Sequence, residues 1–330
     1  MRLTMNRRTL LKGSAAFAAA LAASPAFAQD KVELIYSDTV TEADIRSATL
    51  REVFGGALGD GFEFKPYFGA TLFAQGTELV AMQRGNLDMA ALAIYDLQNQ
   101  IPALGILGAA YLFRDYAHMR AVFASDVAKE LFQMVEDQLG VKVLANPYIG
   151  TRHVNLRGDK KVMTPADLAG VKLRMPGGEG WQFVGTALGA NPTPMAFTEV
   201  YTGLQTGAID GQDNPLPADK AMKFYEVTKQ IVLTGHLIAV NQFSISKTKW
   251  DSLNADQQAA VQSAALAFEA ALDKVTLAQE AELVDFFKAE GLDVYEPDRA
   301  AFREHVLAQY AASPFSADWP AGMLDRINAL

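Results

Sequence analysis

A chain of 330 residues exceeds one ordinary hydrophobic core and suffices for two lobes of common size. Half of its residues are hydrophobic and a fifth are charged, which excludes a disordered or fibrous polymer; a formal net charge of -9 with no Lys/Arg stripe excludes an electrostatic footprint for nucleic acid. Cysteine is absent, so disulfides, thiolate metal sites and cysteine nucleophiles are excluded together.

The N-terminus reads as an export signal over residues 1–28. Asn6-Arg7-Arg8-Thr9-Leu10-Leu11-Lys12 is a twin-arginine pattern, an Ala/Leu/Phe run follows, and Ala26-Phe27-Ala28 supplies a small-x-small cleavage site, so the mature chain is expected to begin near Gln29. The apolar run is shorter than the roughly 18 to 20 residues of a membrane span, and no later segment reaches that length, so the chain is not expected to span a membrane. Val32 to Tyr36 then reads as a strand, Ala43 to Leu58 as a helix and Phe62 to Phe68 as a second strand. A helix from Thr77 to Arg84 closes at Gly85 before Asn86-Leu87-Asp88-Met89-Ala90. Far downstream, a helix from Glu199 to Thr206 closes at Gly207 before Ala208-Ile209-Asp210, and the shared helix-glycine-strand pattern supports two similar lobes.

Helix starts in the second half are marked by Thr164-Pro165-Ala166-Asp167, which places a hydroxyl, a proline and a carboxylate in order, and by Thr198 before Glu199. In Val171-Lys172-Leu173-Arg174-Met175 apolar and charged residues alternate, so a strand buries Val171, Leu173 and Met175 and turns Lys172 and Arg174 to the other face. Pro176-Gly177-Gly178 ends it. Ligands of open α/β sheets sit beyond the carboxyl ends of the strands, where Arg174 would present a planar fork suited to a carboxylate. Glu179 to Leu188 predicts a helix with Trp181, Val184 and Leu188 on one face. Asp210-Gly211 is a turn dipeptide, and Asp213 is placed near the site.

From Asn254 to Glu290 there is no proline, and Val261, Ala265, Phe268 and Leu272 recur at helical spacing, predicting one very long helix or two end to end. Such a helix reaches roughly 50 Å, more than one small lobe needs, and bracing both lobes explains the length. Broken heptads and frequent alanine argue against a dimeric coiled coil. The tail reads as loops with one helix, Arg299 to Ala311. No nucleophile elbow, zinc-protease or phosphate-cradling motif is present. His118, His153, His236 and His305 lack metal-ligand spacing, and only His153, beside Arg152, is a candidate ligand contact. No cofactor is expected.

Four motifs occur in order across the second half: G-T-R at 150–152, K-L-R-M-P at 172–176, N-P-T-P-M-A-F-T-E-V-Y at 191–201 and D-G-Q-D-N-P at 210–215. This run resembles the DctP-type extracytoplasmic solute receptors of TRAP transporters. The resemblance implies an α/β fold of the type II periplasmic-binding-protein kind, with two lobes joined by a hinge and braced by a long helix. Residues 29–149 with 240–279 would form one lobe and 150–239 with 280–330 the other. It further implies a periplasmic location, a small organic carboxylate as ligand (a hydroxy-, keto- or sugar acid, or a dicarboxylate) and a TRAP membrane permease as partner.

By motif position, Arg174 would pair with the ligand carboxylate and Arg152 would add positive field. Phe197 is either an apolar wall or core packing, and Asn214 would offer its amide. Asp38, Gln75 and Tyr95, with Asp96 beside it, are further ligand-facing candidates from the first half. Tyr148 and Trp181 flank the arginines, Trp181 being equally readable as core of its helix. The segment Ala91-Leu92-Ala93-Ile94-Tyr95-Asp96 departs from sialate-binding members, which carry an acidic residue and an arginine there, and this counts against sialic acid. The rival reading is a cofactor-dependent periplasmic enzyme exported by the twin-arginine route.

Overall fold

The computed structural model describes residues 31–330, so the export signal read in residues 1–28 lies outside the described residues. Its strands, in chain order, are β1 (Val32–Ser37), β2 (Phe62–Tyr67), β3 (Met89–Ala93), β4 (Val141–Ala145), β5 (Tyr148–Leu156), β6 (Lys172–Met175), β7 (Asn191–Pro194), β8 (Gly211–Pro215), β9 (Gln230–Ser246) and β10 (Asp293–Tyr295). They pair in the order β2-β1-β3-β9-β5-β8-β6-β7, with β4 and β10 also on β9. Each half repeats one plan. β1 lies parallel between β2 and β3, and β6 lies parallel between β7 and β8. The third strand of each set then meets a crossover strand antiparallel, β3 on β9 and β8 on β5.

The rhyme read in the sequence is a structural repeat. Gly85 and Gly207 end their helices in the left-handed region, with φ of 73° and 81°. Three residues later, Asp88 accepts the N–H of Ile35 at 2.9 Å, and Asp210 accepts that of Lys172 at 2.9 Å. Each aspartate thus ties its own segment to the central strand of its lobe, so Asp210 does more than turn the chain.

Two long strands join the lobes. β5 and β9 run antiparallel from Tyr148–Val240 to Leu156–Gln230, with register shifts at Tyr148/Gly150 and Arg152/Val154. β9 serves both halves, its end pairing with β3 and its start with β10. Behind them lies a single helix, Ala255–Ala289, opened by a reciprocal Asn254–Gln257 capping box. Its first part packs Val261, Phe268 and Leu272 with Phe54 and Phe243, and its last part packs Leu283 and Phe287 with Leu216 and Ile231. Between these two cores the helix grips the crossover itself. Asp273 accepts from the Tyr148 N–H at 2.7 Å, and Glu280 accepts from the Thr151 N–H at 2.6 Å.

Several local expectations are corrected. The helix expected from Ala43 to Leu58 starts at Ile45 after an Asp44 cap and continues through a π-turned segment, Leu50–Gly55. The Thr164 box forms but opens only a 3-10 turn, Pro165–Leu168, because Gly170 at φ 80° follows at once. Thr198 caps nothing; a 3-10 turn Phe197–Glu199 precedes the helix Val200–Thr206. The helix expected from Arg299 to Ala311 is observed as Arg299–Ala312, and the tail carries a second helix, Met323–Asn328. Although 280–330 was assigned to the second lobe, this last helix reaches back to the first: the Ile327 carbonyl lies 2.9 Å from His118 Nε2, and Arg326 pairs with Glu130 at 2.7 Å. Among the described residues no helix is long and apolar enough to cross a membrane.

Gly150 is required where the crossover passes β8. Its φ is 118°, and an added Cβ would lie 2.5 Å from Pro215 Cβ. Gly150→Ala is expected to cost about 1–3 kcal/mol, seen as a lower urea midpoint; an unchanged midpoint would contradict this close crossing.

Candidate functional site

A cavity of about 270 Å³ opens between the two halves, beyond the carboxyl ends of the parallel strands. Arg174 enters it from β6. Alternation along the strand sends Leu173 and Met175 into the core and Arg174 the other way, yet the residue is only 1% exposed because the cavity walls cover it. Its Nε donates to the Met195 carbonyl at 2.9 Å, and its Nη2 donates to Gln75 Oε1 at 3.3 Å. No carboxylate among the described residues pairs with it. Burial without a counter-ion pushes its pKa down from the usual arginine value to about 9; the more distant Asp213 charge opposes the shift and Arg152 adds to it.

Arg152 is in the opposite situation. From β5 its Nε donates to Asp213 Oδ2 at 2.6 Å and its Nη2 to Oδ1 at 3.0 Å, and His236 Nε2 lies 3.1 Å from the same Oδ2. Burial resists ionisation of Asp213, but the Arg152 charge and the hydrogen bonds from His236 and Arg152 outweigh it and hold the carboxyl well below the usual carboxylate range. The Trp181 ring sits under the Arg152 guanidinium at 4.7 Å, and Tyr95 packs against Trp181 at 4.3 Å. Arg152 is thereby oriented and electrically balanced, which leaves Arg174 as the second-lobe cation with charge to offer.

The structure brings Arg174, Arg152, Asn214, Phe197, Trp181 and Gln75 to the cavity wall. Phe197 lines the cavity and also packs in the core: the Arg174 guanidinium lies 5.7 Å from its ring, which meets Phe224 edge-on. Gln75 crosses from the first lobe, its Oε1 also accepting the Phe197 N–H at 2.8 Å. Asn214 gives its amide nitrogen to Gln212 and keeps its carbonyl available.

Five candidates are not at the wall. Asp38 turns inward to accept from Tyr36 Oη and the Val40 N–H, so its neighbours Thr39 and Val40 line the cavity instead. Tyr95 stands behind Trp181 and donates to the Gly108 carbonyl. Tyr148 sits at the crossover, its hydroxyl on Glu280 and Thr151. Asp213 lies beneath Arg152. His153 faces away from the cavity on the other side of β5, accepting the Gly235 N–H at 3.1 Å.

Sequence reasoning missed Arg46, Glu78, Asn99 and Asn241, which line the first-lobe side, and noted Asp96 only as the neighbour of Tyr95. Arg46 is bound by Asp44, Nε to Oδ1 at 2.8 Å and Nη2 to Oδ2 at 2.6 Å. Burial raises Glu78 to about 7 and Asp96 to about 6.

Removing the support of Arg152 tests its role. Asp213→Ala leaves a buried guanidinium unpaired and is expected to destabilise the fold by about 3–5 kcal/mol in urea titrations; a loss under about 1 kcal/mol would contradict the pairing.

The family model described as bacterial extracellular solute-binding protein, family 7 (DctP), matches residues 47–315. The sialic acid-binding periplasmic protein SiaP of Vibrio cholerae is 31% identical over 307 residues, 93% of this chain and 94% of its own. The 2,3-diketo-L-gulonate-binding periplasmic protein YiaO of Escherichia coli is 34% identical over 239 residues, 72% of each chain. A solved TRAP periplasmic solute binding protein from Roseobacter denitrificans, with bound 3-deoxy-D-manno-oct-2-ulosonic acid, matches with a TM-score of 0.89 at 48% identity, covering 91% of this chain and 99% of its own. Another from Roseobacter denitrificans, with bound L-galactonate, matches with a TM-score of 0.82 at 26% identity, covering 92% and 99%. With likeness of this extent along most of its length, the chain belongs to the DctP family of bacterial extracellular solute-binding proteins, family 7.

Proposed function

We propose that this protein is the periplasmic receptor of a TRAP-type transporter, capturing a small organic acid between its lobes and presenting it to a membrane permease. One observation carries the reading: Arg174 is buried at the cavity wall with no carboxylate partner among the described residues. An ion taken out of water is costly unless it is paired and hydrogen-bonded, and a ligand carboxylate supplies both. The bound 3-deoxy-D-manno-oct-2-ulosonic acid of the 48% identical Roseobacter protein is an acid of this kind and supports a sugar acid as cargo.

In the mechanism we propose, the carboxylate meets Arg174 on the second lobe while Phe197 supplies an apolar wall; Arg152, expected to add positive field, is balanced by Asp213 and offers little net charge. Closure requires the first lobe to cover the ligand from the opposite side. Gln75 already spans that gap, touching both Arg174 and the Phe197 N–H. Bound acid favours the closed form because only there do both lobes contact it, so capture is a population shift about the β5–β9 crossover. The closed surface is what the permease would recognise. Residues 1–28, read as a twin-arginine signal, support export to the periplasm.

Arg174→Lys keeps the charge and loses the planar fork. The variant is expected to bind the cognate acid roughly 10- to 150-fold more weakly, from the loss of about 1.5–3 kcal/mol of charged hydrogen bonding. Titration calorimetry checks this, and near-native affinity would remove the carboxylate clamp from the account. A screen of organic acids by thermal shift should find at least one that stabilises the wild-type protein, by about 2.7 kcal/mol at a hundredfold excess over its Kd. No response across hydroxy-, keto- and sugar acids would overturn acid capture.

A further inference from the structure

The first-lobe side of the cavity differs in charge from the second. It presents Arg46, Glu78 and Asp96. The Arg46 fork is already occupied by Asp44 through both Nε and Nη2, so this pair offers a ligand no free cation. Glu78 and Asp96 have no cation partner among the described residues. Glu78 is 7% exposed and faces the cavity from the start of its helix, while Asp96 receives the Ala93 N–H at 3.2 Å on one oxygen. Asn99 and Asn241 complete this wall with amide groups. A ligand whose carboxylate is held by Arg174 therefore points its far end at acceptors and amides rather than at a second arginine.

We infer that Glu78 and Asp96 select the far end of the ligand, accepting hydrogen bonds from hydroxyl groups and rejecting a second carboxylate, so the cargo is a polyhydroxylated monocarboxylic acid and not a dicarboxylic acid. This rests on the reading that Arg174 holds the first carboxylate. A hydroxyl can donate to either oxygen of Glu78 at little cost. Among the described residues a second carboxylate would find amide donors but no cation without a carboxylate already on it, and it would face the acidic groups of Glu78 and Asp96 in a site shielded from water, where repulsion is strongest. The burial that resists ionisation of Glu78 and Asp96 marks the same wall as poor in solvation for any added anion.

The test compares acids that differ only at the far end, with the full mature chain in titration calorimetry: D-galactonate against galactarate, D-gluconate against D-glucarate, and 3-deoxy-D-manno-oct-2-ulosonate as a further monocarboxylate. The wild type is expected to favour the aldonic over the aldaric acid by at least about tenfold in the pair that it binds. Glu78→Gln with Asp96→Asn keeps side-chain size and hydrogen-bonding capacity; it should bring that ratio below about threefold by strengthening the aldaric acid. Glu78→Gln alone should move it part of the way. Equal wild-type affinity for both members of the pair, or an unchanged ratio in a variant with native circular dichroism, overturns the selection while leaving the Arg174-dependent binding intact. Binding of none of these acids by the wild type, with no thermal shift from any other monocarboxylic acid, overturns acid capture itself and this inference with it.

Discussion

Arg174 keeps a positive charge inside the protein beside a cavity, and its partners among the described residues are one carbonyl and one amide oxygen, with no anion among them to balance it. Ions of this kind are costly in a low-dielectric interior, and a fold tolerates one where a partner is to be supplied from outside. Much of the surrounding structure serves this condition. Asp213 neutralises Arg152, with His236 holding Asp213 and the Trp181 ring under the guanidinium, while Arg174 stays available. The two arginines have different electrical roles, and the carboxylate beside one of them makes the difference.

The second constraint is mechanical. Both lobes are built on the same parallel plan, and they are joined by β5 and β9 lying against a continuous helix. Asp273 and Glu280 on that helix each accept a main-chain N–H from the crossover. Near Tyr148 to Arg152, register shifts and Gly150 break the regular ladder of the joint. Arg152 lies in the same short segment, which couples the geometry of the site to that of the joint.

How much could be read in advance follows from what each feature depends on. Arg174 was legible because strand alternation and the Pro176-Gly177-Gly178 stop fix both its direction and its place at a strand end. The long helix was legible because periodicity runs unbroken by proline from Asn254 to Glu290. Asp38, Tyr95 and Tyr148 show the limit of such reasoning: proximity to a strand end sets where a residue is, while its side-chain direction depends on its partners, Tyr36 two residues before Asp38, Gly108 for Tyr95 and the distant Glu280 for Tyr148. Arg46, Glu78 and Asn241 converge on the cavity from two helices and the far crossover strand, and no spacing in the sequence links them. The capping signals at Thr164 and Thr198 were read as α-helix starts, but glycine at 170 and a 3-10 turn at Phe197 decided otherwise.

The most direct measurement is a crystal structure of the mature protein with an acid that co-purifies with it, identified by mass spectrometry. The account predicts a carboxylate paired side-on with the Arg174 guanidinium at about 2.7–2.9 Å, with Arg152 still bound to Asp213. A ligand whose carboxylate lies elsewhere, or an Arg174 turned onto a protein carboxylate with the cavity closed, would contradict it.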